Sequence, residues 1–206
     1  QTQQGGDKWN TAKVKSMASM FEGAAAFNQD ISQWDTVLVE TMASMFKGAA
    51  AFNQHIKTRV INFGQGPMTR WSTAKVKTMA SMFEGAAAFN KDISSWNTAL
   101  VENMASMFKG AAIFDQNLPT SSTNLWNTAA VTDMSNMFNG ASDFGKQNGN
   151  CANWDVNAVT TNVDMYTNSN PPANTKQPCK GAGTSSNPVW QACPSPGLSP
   201  TTPASP

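Results

Sequence analysis

Apolar side chains return along this chain with a fixed beat. Counted from a Trp at repeat position 0, they recur at positions 5, 8, 11, 12, 15, 18 and 22. In the first copy these are Val14, Met17, Met20, Phe21, Ala24, Phe27 and Ile31, and polar or small residues lie between them. At 100° per residue, positions 5 to 15 fall within an arc of roughly 120°, the stripe of an amphipathic helix. Asn10 or Thr11 is placed to cap its start by accepting from free backbone N–H groups. Gly23 is placed to stop it in the left-handed conformation, and Gly48, Gly85, Gly110 and Gly140 repeat that stop. Phe27, Ile31 and Trp34 then suit a turn and a short extended segment. The pattern therefore predicts one short helix and one short strand or extended edge per unit.

The seven Trp stand at 9, 34, 71, 96, 126, 154 and 190, with spacings of 25, 37, 25, 30, 28 and 36. A 25-residue unit with insertions accounts for the series up to Trp154. Its form is W-[ND]-T-x-x-V-x-x-M-x-x-M-F-x-G-A-x-x-F-[ND]-x-x-[IL]. Copies from Trp9, Trp34, Trp71 and Trp96 fit closely. That from Trp126 keeps Val131, Met134, Met137, Phe138, Gly140, Ala141 and Phe144, and that from Trp154 keeps Val159 and Met165, with Tyr166 at the Phe position. Eleven of the 12 Met and ten of the 11 Phe are in frame, which biased composition alone would not arrange. A period of 62 overlies the shorter one: Lys13–Trp34 and Lys75–Trp96 are nearly identical. A two-unit block has been duplicated and followed by two diverging units.

One such unit cannot bury its own apolar face, so neighbours must share it. The expected fold is an α/β repeat solenoid, leucine-rich-repeat-like, of about six coils, with an irregular Pro-rich C-terminal tail. Helices pack more widely than strands, so the stack is expected to curve with helices outside. The expected organisation is a lead-in at 1–8 and a solenoid at 9–166. Insertions lie near 57–70, 118–125 and 145–153, and the tail covers 167–206. The Met column is core filling in this reading, in preference to a soft-metal site.

Outward positions carry an alternating charge ladder. Position 6 runs Lys15, Glu40, Lys77, Glu102, and position 13 runs Glu22, Lys47, Glu84, Lys109. In-register stacking makes every neighbouring pair opposite in sign. Each exposed pair contributes only about 0–1 kcal/mol. The expected role is therefore choice of stacking register, since a one-unit shift sets like charges together.

The motif W-N-T…V…M…M-F-x-G-A…F-N-Q-D-I-S-x-W at Trp9–Trp34, repeated with variations, resembles the 25-residue repeat of BspA-like surface proteins. The resemblance covers residues 9–166. It implies a leucine-rich-repeat-like solenoid, a cell-surface or secreted setting and links to adhesion, and it carries over no catalytic residue. This chain departs from it in having Ala and Lys where Ser and Thr are common, and in its long insertions.

Composition narrows the functions further. Charged residues make up 13 %, and the formal net charge is +1, unlike the basic balance of nucleic-acid binders. One His and one Tyr leave little acid–base or metal chemistry, so no cofactor is expected. No apolar run is long enough to span a membrane. Asp30 with Asp35, or Asp92 with Glu84, are the carboxylate pairs an enzyme would use. They sit in repeat columns, where caps and surface charges are the expected roles, so no enzyme is expected. The insertion at 57–70 is basic and apolar together; Lys57, Arg59, Phe63 and Arg70 make it the candidate contact loop. In the tail, the Pro/Ser/Thr run reads as a polyproline II stalk. Ser195, Ser199, Thr201, Thr202 and Ser205 are candidate O-glycosylation sites there, and the chain has no N-x-[ST] sequon. Cys179 and Cys193 are the favoured disulfide, with Cys151–Cys179 the alternative that would tie the tail to the last coil, and the odd thiol is free or bridges chains.

The expectation is a non-catalytic extracellular structural protein. It would be a homo-oligomer or homopolymer grown by end-to-end stacking, because an apolar coil edge near Trp9 demands a cover. The alternative is a monomeric cell-surface adhesin or ligand-binding module carried on the Pro-rich stalk.

Overall fold

A computed structural model describes residues 9–63, 66–118, 126–146, 154 and 157–169. At 61–63, 66–68, 179–180 and 190–191 it describes the backbone alone.

The six units lie parallel and in register. One column of parallel bridges joins Ser16, Thr41, Thr78, Asn103, Asp133 and Thr161, each at position 7 of its unit. From position 8 to position 15 the bonding alternates. N–H groups at even positions cross to the next unit: in the first unit Met17, Ser19, Phe21 and Gly23 donate to the carbonyls of Thr41, Ala43, Met45 and Lys47. N–H groups at odd positions turn back three residues within the unit, as Met20 does to Met17, Glu22 to Ser19 and Ala24 to Phe21. Successive turns thus close inside a unit while every second amide ties two units together.

This arrangement replaces the expected helix. No helix occurs among the described residues. The reason lies at two positions four residues apart. Position 10 is left-handed in every unit (Ser19, Ser44, Ser81, Ser106, Asn136, Asp164, φ 55–56°), and the position 14 glycines are left-handed too, at φ 68–75°. A right-handed helix admits neither. Each left-handed residue sits third in a turn closed by an i to i+3 bond, the signature of a type II turn. The parallel bridging also falls at position 7, inside the segment expected to be helical, rather than in the extended segment after the glycine. With no helices to stand outside, the argument for curvature loses its basis.

The apolar columns meet between units. Val, Met, Met, Phe and Ala of the second to fifth units are fully buried, as are Trp71 and Trp96, with Trp126 1 % exposed. Position 12 forms a continuous ring column, Phe21–Phe46–Phe83–Phe108–Phe138–Tyr166, at centroid spacings of 5.5–5.7 Å. Position 18 forms a second, Phe27–Phe52–Phe89–Phe114–Phe144, at 5.8–6.1 Å. The Trp rings stack in pairs: Trp9 on Trp34, Trp71 on Trp96 and Trp126 on Trp154. Trp71 also donates its backbone N–H to the Trp34 carbonyl.

Three polar columns seal the stack, and pattern reading missed them as ties. The buried Thr hydroxyl at position 2 bonds the next unit. Thr36, Thr73 and Thr98 donate to the carbonyls of Ser72, Asn97 and Asn127 at 2.7–2.8 Å. At position 19 the side-chain oxygens of Asn28, Asn53, Asn90 and Asp115 accept from the backbone N–H of the unit that follows. Indole N–H groups of Trp71, Trp96 and Trp154 donate to the carbonyls of Ile31, Ile56 and Leu118. The signal was the recurrence of Thr at position 2, which capping explained too readily, and of Asn at position 19.

The insertion at 57–70, expected as a loop, is a hairpin. Strand β1 (Arg59–Phe63) pairs antiparallel with β2 (Gly66–Arg70) in the register Arg59 to Arg70. A second two-stranded pair joins β3 (Cys179–Lys180) to β4 (Trp190–Gln191).

Candidate functional site

The charge ladder faces solvent, and ion pairs form at some of its rungs. Lys77 Nζ lies 3.6 Å from Glu40, Lys47 Nζ 3.3 Å from Glu84, and Lys109 Nζ 3.6 Å from Glu84. All three pairs join adjacent units. Lys15 with Glu40, Glu22 with Lys47, and Lys77 with Glu102 are not brought within ion-pair distance. Glu84, between two lysines, is the best-held rung. Burial raises its carboxyl, but the Ser81 hydroxyl and Lys47 outweigh that and hold it below the usual carboxylate range.

The candidate contact loop is tied to the stack at both feet. Lys57 Nζ lies 2.6 Å from Asp92, and Thr58 donates its backbone N–H to Ser95 and its hydroxyl to the Trp71 carbonyl. Arg70 lies 3.8 Å from Asp35. Arg59 and Val60 are exposed. Phe63 lies on β1, where only its backbone is described.

The carboxylates considered for catalysis serve turns and ion pairs. Asp30 accepts the Ser32 N–H at 2.8 Å, and that backbone bond, with the Ser32 hydroxyl, lowers its pKa. Asp35 accepts the Val37 N–H as well as facing Arg70. Asp92 accepts the Ser94 N–H at 2.9 Å. Its partial burial acts to raise its pKa, and Lys57 and Ser94 overcome this and lower it.

The two edges of the stack differ in chemistry. The first unit presents half-buried Val14, Met20, Phe21 and Phe27 and a Trp9 that is 63 % exposed, beside a half-buried Trp34 of the second unit, where the equivalent columns inside the stack are fully buried. A recess of about 940 Å³ opens there, lined by these rings with Gln29, Asp30, Gln33, Asp35 and Arg70. The last described unit carries Val163, 63 % exposed, beside Asn162 and Asp164.

A family model described as "Mycoplasma protein of unknown function, DUF285" matches residues 1–63 and again 58–177. The chain belongs to this family. The two DUF285 matches meet at 58–63, where β1 of the hairpin begins, so the hairpin insertion marks the seam between them. No curated protein and no solved structure matches this DUF285 chain. Among its described residues, no helix is long and apolar enough to cross a membrane. Cys151, Cys193 and the glycosylation candidates Ser195, Ser199, Thr201, Thr202 and Ser205 lie outside the described residues, as does the Cys179 side chain.

Proposed function

We propose that the stack is a solenoid of the leucine-rich-repeat-like kind in a BspA-like surface protein. Its function is structural and non-catalytic: it is the subunit of an extracellular filament that grows by end-to-end stacking. The observation that carries this reading is the first unit's edge, where Val14, Met20, Phe21 and Phe27 are half open while the same columns inside the stack are sealed. Apolar surface of that kind is stabilised by cover, and repeat stacks provide it through terminal caps or neighbours. A face that differs from its opposite end makes a heterologous contact, which propagates when the rotation does not close. The Pro/Ser/Thr tail suits an outward stalk that carries O-glycans. Analytical ultracentrifugation over a wide concentration range, with negative-stain microscopy, tests the proposal. Fibres of one molecule's width are expected as concentration rises, and dispersed monomers throughout would reject it.

The recess favours a second reading, the monomeric adhesin. Its stacked Trp9 and Trp34 rings beside Gln, Asp and Arg side chains offer an apolar platform with polar groups around it. Filament growth and ligand binding would compete for this surface.

A further inference from the structure

We infer that copies of this chain join head to tail, the edge of the Trp154 unit of one copy docking in register on the Trp9 unit of the next. This rests on the filament reading and adds the faces, the polarity and the bonds.

Inside the stack, carbonyls at positions 7, 9, 11 and 13 accept from the unit before, whose N–H groups at 8, 10, 12 and 14 donate. In the first unit the matching carbonyls are those of Ser16, Ala18, Met20 and Glu22, and none accepts a bond among the described residues. In the last described unit the matching donors include Asn162, Asp164 and Asn168, whose N–H groups have no acceptor among the described residues. Position 6 runs the other way: each N–H there takes the preceding unit's position 6 carbonyl, as Glu40 takes Lys15. Among the described residues the Lys15 N–H has no acceptor at one edge and the Thr160 carbonyl no donor at the other. The junction therefore pairs Asn162 with Ser16, Asp164 with Ala18, Asn168 with Glu22 and Lys15 with Thr160, as a seventh layer of the same ladder. Two copies of one edge cannot do this, because open carbonyls would meet open carbonyls.

Side chains agree with this polarity. At the charge positions Thr160 and Thr167 meet Lys15 and Glu22, so no like charges oppose each other. The junction is built from backbone bonds and apolar contact, and salt should leave it nearly unchanged.

Two face-blocking variants test it. Met20→Arg places a charge in a first-unit column that is fully buried at Met45, Met82, Met107 and Met137. Asn162→Arg does the same at the opposite edge, in the column of Met42, Met79, Met104 and Met134. Each variant alone should sediment as a monomer, and a 1:1 mixture should give a complex of twice the monomer mass and no larger. Thermal unfolding first establishes that each is folded, and formation of the mixed dimer proves that each retains one working face. If Asn162→Arg still self-associates, the contact is between like edges and the proposal fails. It also fails if two folded variants stay monomeric in the mixture. Wild-type fibres that neither variant interrupts would reject this junction and leave the filament reading standing, whereas a wild type that never assembles would reject both.

Discussion

The left-handed residues decide the local structure. Positions 10 and 14 recur at φ 55–56° and 68–75°, and they convert an apparent helix stripe into consecutive turns. The sequence carried this signal: position 10 is Ser, Asn or Asp in every unit, and position 14 is Gly, or Asn168 at φ 57° in the last. Gly and Asn, which favour the left-handed region, fill position 14, while position 10 takes small polar residues, of which Asn136 and Asp164 favour it and the four Ser bear its strain. Apolar spacing could not reveal it, because steps of three and four residues suit a chain of turns as well as a helix. The glycines are required by conformation and not by space. A Cβ on Gly85 would lie 3.7 Å from the Gly48 backbone, an ordinary contact. Gly85→Ala should therefore lose about 1–2 kcal/mol through φ alone. Ser44→Gly should lose nothing and gain at most about 1 kcal/mol, since it relieves the same strain. Urea unfolding of both variants measures the contrast; equal losses would mean that neither conformation is strained.

At the scale of elements, the columns and their order were legible in the repeat, and their bonding partners were not. Thr36 stands at the position read as a helix cap in the first unit and Asn53 in a column given no role, yet both bond a neighbouring unit. A local pattern cannot distinguish a cap from a tie 24 to 37 residues away. The hairpin was likewise hidden: Arg59–Arg70 shows mixed apolar and basic residues with Gly and Pro near its middle, and only cross-strand pairing reveals its register. The charge ladder was legible, and its effect is small and pH-dependent. Glu84 faces Lys47 and Lys109, and its carboxyl is held below its ordinary 4.5. A group depressed in the folded state stabilises above its unfolded pKa, and that contribution fades as pH falls through the folded value. Glu84→Gln should therefore cost about 0.5–1 kcal/mol at pH 6–7, and the difference from wild type should shrink as pH drops below about 4.5. Urea midpoints taken from pH 7 down to pH 3 would show it. A difference that stays constant would assign the loss to packing.

For the whole molecule, the stack behaves as a line of nearest neighbours, so its response to deletion depends on which faces are brought together. The 62-residue period makes this testable. Removing residues 71–95 joins the Trp34 unit to the Trp96 unit, setting Glu40 against Glu102 and Lys47 against Lys109. Removing residues 34–95 joins the Trp9 unit to the Trp96 unit, setting Lys15 against Glu102 and Glu22 against Lys109. Absolute stability cannot judge the ladder, because the longer deletion also removes more buried interface. Salt can, since it screens exposed charges and leaves apolar contact in place. The single-unit deletion should gain stability as NaCl rises from about 0.02 M to 0.5 M, by up to roughly 1 kcal/mol for each like-charge pair. The two-unit deletion should hold steady or lose slightly over the same range. Parallel salt responses in the two deletions would reduce the alternation to a remnant of duplication. Opposite responses would make it the device that keeps neighbouring units in step, here and in any longer stack built from the same faces.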